Sequence, residues 1–396
     1  MVRIRPMKVS IVGGSIGGLT AACLLRDLGH QVSVYERSTV RLEQRGAGIG
    51  FLPASYRYLQ TRAAIDIDKI SVKTEHIRYL DRESKLVYDA KHQYRFSSWN
   101  TVYASTLAHF GTSEYHLDSE VVDFSQSFEN ASISLKNGRS ITSDLLVGAD
   151  GIGSLLRDRL VPSSKSAYAG YVAWRGMVPE SKLSSEIIER LGEAITYFVY
   201  PGSHILVYPI PDHEGRVTPG DRLINFVWYC NYPSGDEFNF LMTDKNGLLR
   251  EVSIPPGFVS EHNVEQVKLM ALHCLPKLLS DLVVSTIEPF VQVVYDVDID
   301  QMAFGRICLI GDAGIVARPH AAAGTAKAAA DGWALAEALE KYEDMDDALE
   351  AWQASQLAVA KNLLERTRRV GSKSQFLNTW DSRDPEVIFG LHQPGN

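Results

Sequence analysis

At 396 residues the chain is too long for one ordinary domain core and suits two or three lobes. An apolar fraction of 45% with 22% charged residues describes a folded globular chain and excludes a fibrous or disordered one. The net charge of −8, with lysine and arginine scattered along the chain, excludes the basic patch that a phosphate backbone needs, so nucleic acid is not an expected partner.

The elements follow in order. Lys8 to Val12 has the composition of a short strand, Gly13 to Gly18 forms a glycine turn, and Leu19 to Leu28 carries helical apolar spacing that stops at Gly29. Gln31 to Tyr35 is a second strand, so the first 36 residues spell βαβ. From Ser71 to Phe96 and from Tyr115 to Ile141 the pattern is short and irregular, and Asn137-Gly138 favours a hairpin. Leu145 to Val147 is a buried strand that leaves its sheet at Gly148-Ala149-Asp150-Gly151. Aromatic strands then dominate between Tyr168 and Val297, which predicts a largely antiparallel second lobe. Arg306 to Ile310 returns as a strand, followed by Gly311-Asp312, an alanine-rich helix from near Gly324 past Trp333, and a helical tail over Asp346 to Arg369. The expected architecture is an α/β Rossmann-like lobe built from residues 1–165 and 299–396, with an inserted β-sheet lobe over 166–298.

Cys23, Cys230, Cys274 and Cys308 show no CxxC spacing and suit buried thiols of a reducing compartment. No metal site is expected. A strand already begins at Met7, where a secretory signal would need an apolar stretch, and no apolar run reaches the roughly 18 to 20 residues that span a bilayer. These features predict a cytoplasmic protein with no membrane partner.

The chemistry concentrates in three turns. Gly13-Gly14-Ser15-Ile16-Gly17-Gly18 is a GxGxxG fingerprint with serine at the middle glycine. Gly13 permits the tight turn, Gly18 lets the helix approach the strand, and the free N–H groups of the helix start suit a pyrophosphate. Glu36 ends the second strand, where an acid accepts both ribose hydroxyls and favours NAD or FAD over a 2′-phosphate. The βαβ unit alone does not separate these two. Asp150 and Asp312 each place a carboxylate on a strand-to-helix turn, and a helix cap or turn-former is the plain structural alternative for both.

In this order and spacing, the three turns resemble those of the single-component (group A) flavoprotein aromatic hydroxylases, over nearly the whole chain. Within that family the likeness is closest to members acting on dihydroxypyridines, carried by Tyr168 to Gly176, Tyr208 to Pro211, Leu241 to Asp244 and Arg318 to Gly324. Two departures from the general pattern, Tyr103 in place of an arginine and Ala322-Ala323 in place of Gly-Gln, fit the same branch. The resemblance implies that FAD is bound by Gly13, Gly14, Ser15, Gly18, Glu36 and Arg37 at its adenosine and pyrophosphate half, with Val121 touching the adenine. It also implies roles for Asp150, for Asp312 toward the ribityl chain, for Gly48 and Ile49 at the flavin edge, and for the backbone of Ala323, Gly324, Thr325 and Ala326 facing the pyrimidine ring. The implied activity is hydroxylation of a hydroxylated aromatic or heteroaromatic ring using NADH or NADPH and O₂, through a flavin C4a-hydroperoxide.

A planar aromatic substrate would meet the inserted sheet beside the flavin. His320 is a candidate acid or base because its ordinary pKa near 6.5 suits proton transfer. Tyr208 shares a strand face with His204, Leu206 and Ile210 and is a candidate hydrogen-bond donor. Tyr171, Trp228 and Tyr229 are candidate pocket walls, and Arg175 suits a structural ion pair. Three alternatives stay open on the residues: a hydroxylase, decarboxylating or not, of a benzenoid phenol or hydroxybenzoate; an NAD-dependent dehydrogenase, which leaves Gly311-Asp312 unexplained; and a non-catalytic flavin-binding protein. A homodimer is a reasonable expectation for such a chain.

Overall fold

The computed structural model describes residues 5–42 and 47–396. Two sheets organise it. The first has six strands in the order Ala303–Phe304, Ile307–Leu309, Leu145–Gly148, Lys8–Val12, Gln31–Tyr35 and Tyr115–His116, and all but the first are parallel. Both faces are covered, so Leu145 to Gly148 and Ile307 to Leu309 are apolar and buried without interruption, and Lys8–Val12 is buried from Val9 onward, Ser10 included.

Two helices that begin at this sheet's carboxyl ends run side by side, Ile16–Asp27 and Gly324–Lys341. Small residues at four-residue spacing allow the approach. A β-carbon at Gly17 would lie 2.8 Å from that of Ala328, and one at Gly332 would lie 3.3 Å from that of Ala21. The crossing therefore brings the two helix N-termini to one place.

The second sheet has nine strands in the order Ser253–Ile254, Phe290–Asp296, Ala167–Pro179, Leu223–Asn231, Ser203–Ile210, Ala194–Tyr200, Val72–Leu80, Leu86–Ser98 and Gly48–Gly50. Every pairing is antiparallel except Ala194–Tyr200 against Val72–Leu80. Three of its strands precede residue 166, so the sheet is assembled from both sides of that expected boundary. The segment from Ser71 to Phe96, whose pattern looks irregular, forms two long strands. The alternation of the first changes phase at a bulge between Thr74 and His76, which moves the buried positions from Val72 and Thr74 to Ile77 and Tyr79, and the hairpin tip at Leu86 and Val87 faces solvent.

One face of this sheet, with Val172, Trp174, Phe226 and Trp228, packs on the helices Glu261–Cys274 and Lys277–Ser285. The other face, with Tyr171, Ala173, Leu206, Tyr208 and Tyr229, meets Ala321, Ala323 and Ala326 of the first lobe. The helical tail spans Met345–Ser372, widens through Lys373–Leu377, and residues 378–396 then recross this second face. Phe389 packs 4.9 Å from the Tyr94 ring, and the Gly390 N–H donates to the Ala321 carbonyl at 3.2 Å. Among the described residues no helix is long and apolar enough to cross a membrane.

Candidate active site

The glycine turn is shaped by backbone crowding. Gly13 leaves its strand at φ +106°, and a β-carbon there would lie 2.2 Å from the Ala149 carbonyl oxygen. A β-carbon at Gly18 would lie 2.0 Å from the Gly13 carbonyl oxygen. Both positions require glycine for close approach. Glu36 is buried and accepts from the Gly14 N–H and the Ser38 N–H, each at 2.9 Å, one bond on each carboxylate oxygen. The Tyr115 hydroxyl donates to the Gly14 carbonyl at 2.9 Å and lies 3.1 Å from the Tyr103 hydroxyl, which also accepts from the Leu42 N–H. Tyr103 is thus a buried prop of the turn, and Tyr115 was not singled out by the sequence. Ser15 begins the helix Ile16–Asp27 without a side-chain cap bond, and the first turn carries no acid, so its hydroxyl is not spent on capping.

Ser15, Gly17, Gly151, Asp312, Gly324 and Thr325 all line one cleft. The Gly324–Lys341 helix starts after Ala322, which holds the left-handed conformation at φ 51°, and its first residues have no side-chain cap. Two uncapped helix ends therefore point their free N–H groups and positive potential into the same space. Asp312 lies in the short turn Gly311–Ala313 instead of capping that helix. Its side chain is reachable by solvent, yet protein crowds it closely; that burial raises its carboxyl pKa, with Lys327 and Arg157 opposing the rise.

The Asp312 turn is fixed by residues that sequence reasoning missed. The Lys327 ammonium donates to the Gly311 carbonyl at 3.0 Å and to Asp331 at 2.9 Å, and Asp331 accepts the Gly311 N–H at 2.8 Å. Both side chains are buried. Arg157 ties the two acidic turns together through the carbonyls of Ile152 at 2.6 Å and Asp312 at 3.3 Å. Asp150 accepts from the Leu156 N–H at 3.4 Å and its carboxyl pKa is raised by burial, while its other oxygen has no partner among the described residues. Arg37 is exposed, and Val121 is half-buried at the start of the strand Val121–Gln126.

The strand Gly48–Gly50 is clamped between the large sheet and the Ala322 loop. The Gly48 N–H donates to Asn225 Oδ1 at 3.0 Å, and its carbonyl accepts from the Tyr208 hydroxyl at 3.0 Å and from the Arg175 guanidinium. A β-carbon at Gly50 would lie 2.6 Å from that of Ala322. Arg175 makes no carboxylate pair among the described residues, contrary to expectation; its other partner is Gln292 at 2.8 Å. Tyr208 is buried, stacks on Phe96 at 4.1 Å, and has its hydroxyl proton committed to Gly48.

His320 is buried against Tyr171, whose hydroxyl lies 2.7 Å from Nε2, and its ring centre is 4.7 Å from that of Tyr229. Burial, with His204 and Arg318 nearby, depresses its pKa well below 6.5, so it stays neutral where a titrating acid or base was expected. Tyr208 and His320 are not in contact: Tyr208 lies four residues from His204, roughly 13 Å along the strand, and the His320 ring is 5.4 Å from that of His204. Trp228 does not wall this space. Strand alternation sends it to the opposite face, where its indole N–H donates to Ser203 at 3.0 Å. Tyr171 and Tyr229 do face it.

A family of NAD(P)-binding Rossmann-like domains matches residues 11–40, and a family described as FAD binding domain-like matches residues 168–296. The chain is 35% identical to 2,6-dihydroxypyridine 3-monooxygenase of Paenarthrobacter nicotinovorans over 97% of its own length and 96% of that protein. The solved 2,6-dihydroxypyridine-3-hydroxylase of Arthrobacter nicotinovorans superposes with a TM-score of 0.94 at 34% identity, covering 99% of both chains. Klebsiella pneumoniae HpxO, solved with FAD and uric acid, shares the fold at a TM-score of 0.76 and 20% identity, over 96% of this chain and 90% of that one.

Proposed function

Because the chain belongs to the FAD-dependent single-component aromatic hydroxylases, we propose that its substrate is a hydroxylated pyridine, seated between the aromatic face of the large sheet and the Ala321–Ala323 loop. The observation that carries this reading is the meeting of Tyr171, Tyr229 and His320 on that face, in the lobe junction where Ser15, Asp312 and Gly324 line a common cleft. The fit is local: two uncapped helix ends, glycines that a β-carbon would displace, and the unspent Ser15 hydroxyl converge there.

In this reading Ser15 and the N–H groups after Gly13 hold the pyrophosphate, Glu36 the ribose hydroxyls, and Asp312 the ribityl chain. Arg37 and Val121 flank the adenosine. Bound FAD, reduced by NADH or NADPH, activates O₂ for transfer of one oxygen atom to the ring. The chain's own contribution is placement and charge. The N–H groups of Ala323, Gly324, Thr325 and Ala326 stabilise negative charge on the pyrimidine edge, and Gly48 and Ile49 let the ring system approach the backbone closely. Arg175 adds a cation at Gly48, and Tyr208 holds that carbonyl in place. The buried faces of Tyr171 and Tyr229 keep water from the reacting carbon.

Purified protein incubated with NADH, O₂ and a panel of hydroxypyridines and hydroxybenzoates tests the proposal. Faster NADH oxidation with a hydroxypyridine, and a product heavier by one oxygen atom, is the expected result. Turnover confined to hydroxybenzoates would overturn the substrate assignment.

A further inference from the structure

We propose that Tyr171 is a positioning residue that holds His320 as a single-proton donor, so that the site selects a heteroaromatic ring whose hydroxyl is already ionised instead of removing that proton itself. This inference rests on the reading that His320 faces the substrate ring.

The geometry begins with an asymmetry in one imidazole. His320 Nε2 meets the Tyr171 hydroxyl at 2.7 Å, whereas buried Nδ1 has no partner among the described residues. A buried polar nitrogen without a partner is costly and is expected to meet a ligand. Which nitrogen carries the proton depends on the way the Tyr171 hydroxyl points. The Arg318 guanidinium lies 5.7 Å from the Tyr171 ring centre and stabilises negative charge on the phenol oxygen. That field favours the oxygen toward the cation and the hydroxyl hydrogen toward His320, making Nε2 the acceptor. Neutral imidazole then carries its one hydrogen on Nδ1, where it is available to an oxygen of the ligand.

The surroundings offer no alternative base. The groups packed about His320 are Tyr171 from Ala167–Pro179, His204 from Ser203–Ile210, Tyr229 from Leu223–Asn231, Arg318 from its own loop, and the backbone of Gly371 from the tail helix. The acid linked to this set is Asp296, and it is bound to Arg318 at 2.8 Å and to Arg368 at 3.1 Å. Burial raises the hydroxyls of Tyr171 and Tyr229 and lowers His204 to about 3, so among these neighbours none takes up a proton at neutral pH. An incoming hydroxyl finds one N–H donor and a nearby cation, which together suit an oxyanion. The matching ligand is therefore a ring hydroxyl that ionises well below the pH near 10 at which a simple phenol does.

The test is calorimetric titration of the FAD-loaded enzyme across pH with two probes: a hydroxypyridine ionised at neutral pH, and a phenol of the same shape that is not. Wild-type affinity for the hydroxypyridine should stay flat from neutral to mildly alkaline pH, while affinity for the phenol rises as the phenol ionises. Tyr171→Phe should weaken hydroxypyridine binding about tenfold and erase most of the preference, with FAD content retained and the thermal midpoint lowered by a few degrees as Nε2 loses its partner. Equal wild-type affinity for both probes with no pH dependence overturns the proposal, and so does a preference unchanged in Tyr171→Phe. If neither probe binds or is hydroxylated by the wild type, the functional reading itself has failed. Should Tyr171→Phe not fold, the two wild-type pH profiles still decide.

Discussion

The nucleotide cleft and the aromatic face of the large sheet lie against each other and are built in opposite ways. The cleft is made of backbone: glycines crowded to 2.2 Å and 2.0 Å of a hypothetical β-carbon, two uncapped helix ends and few side chains of any size. The aromatic face is made of large buried rings whose polar atoms come from distant parts of the chain, as when Tyr171 meets His320 or the Phe389 N–H donates to Tyr94 at 2.9 Å. One region leaves no room for a β-carbon at Gly13 or Gly18, and the other depends on individual hydroxyl and imidazole groups. Substitutions should therefore act on cofactor affinity in the first and on substrate handling in the second.

The harshest break is Gly13→Ala. The new methyl must intrude on the Ala149 carbonyl at positive φ, so FAD affinity measured by flavin fluorescence should fall about a hundredfold or more. Asp331→Asn comes next. It strands the buried Lys327 ammonium and should cost about 3–5 kcal/mol in urea unfolding, while the double change Lys327→Met with Asp331→Leu should recover only part of that loss, because the Gly311 N–H and carbonyl then lose their partners. An intact stability in Asp331→Asn would separate this pair from the cofactor turn.

On the aromatic face, His204 and His320 both have pKa values depressed in the folded state, so an unfolded chain binds protons that the folded one refuses. Their contribution is complete above about pH 6.5 and is lost as pH falls toward the folded values. At pH 5 the two together should remove about 4 kcal/mol of stability, read from urea midpoints, and His204→Asn should halve that slope. The smallest effect is expected for Tyr208→Phe, because Arg175 still holds the Gly48 carbonyl. FAD should remain bound, with hydroxylation per NADH consumed lowered several-fold, an effect of about 1 kcal/mol. Unchanged coupling would remove Tyr208 from the site.

This contrast also explains what could be read from the chain before its structure. The first βαβ unit, Glu36 and the Asp312 turn are local patterns, since turn, helix and acid lie within a few dozen residues and answer to backbone geometry. Lys327 and Asp331 were visible only as two polar residues four apart in an alanine-rich helix, which looks the same on an exposed face. Trp228 and Tyr229 are neighbours in sequence, and only the register with Ala167–Pro179 shows that one faces helices and the other the ring site. Val72–Leu80 was obscured by the bulge between Thr74 and His76 that breaks its alternation, and its parallel partner Ala194–Tyr200 arrives more than a hundred residues later. Residues 378–396 carry no periodic signal at all. Their place is set by Trp380, whose indole N–H donates to Tyr79 at 3.2 Å, and by Phe389.

The paired helix starts carry a last consequence. Each ends in roughly half a positive charge, and Gly17 against Ala328 presses the two together, so like potentials repel across a gap in which Asp312 is the one acidic side chain among the described lining residues. An anionic nucleotide relieves that repulsion, and its affinity is then partly a release of tension already present in the empty fold. Removing the cofactor should accordingly lower the melting temperature in a manner that added salt partly restores, because mobile ions can screen what the pyrophosphate would otherwise balance.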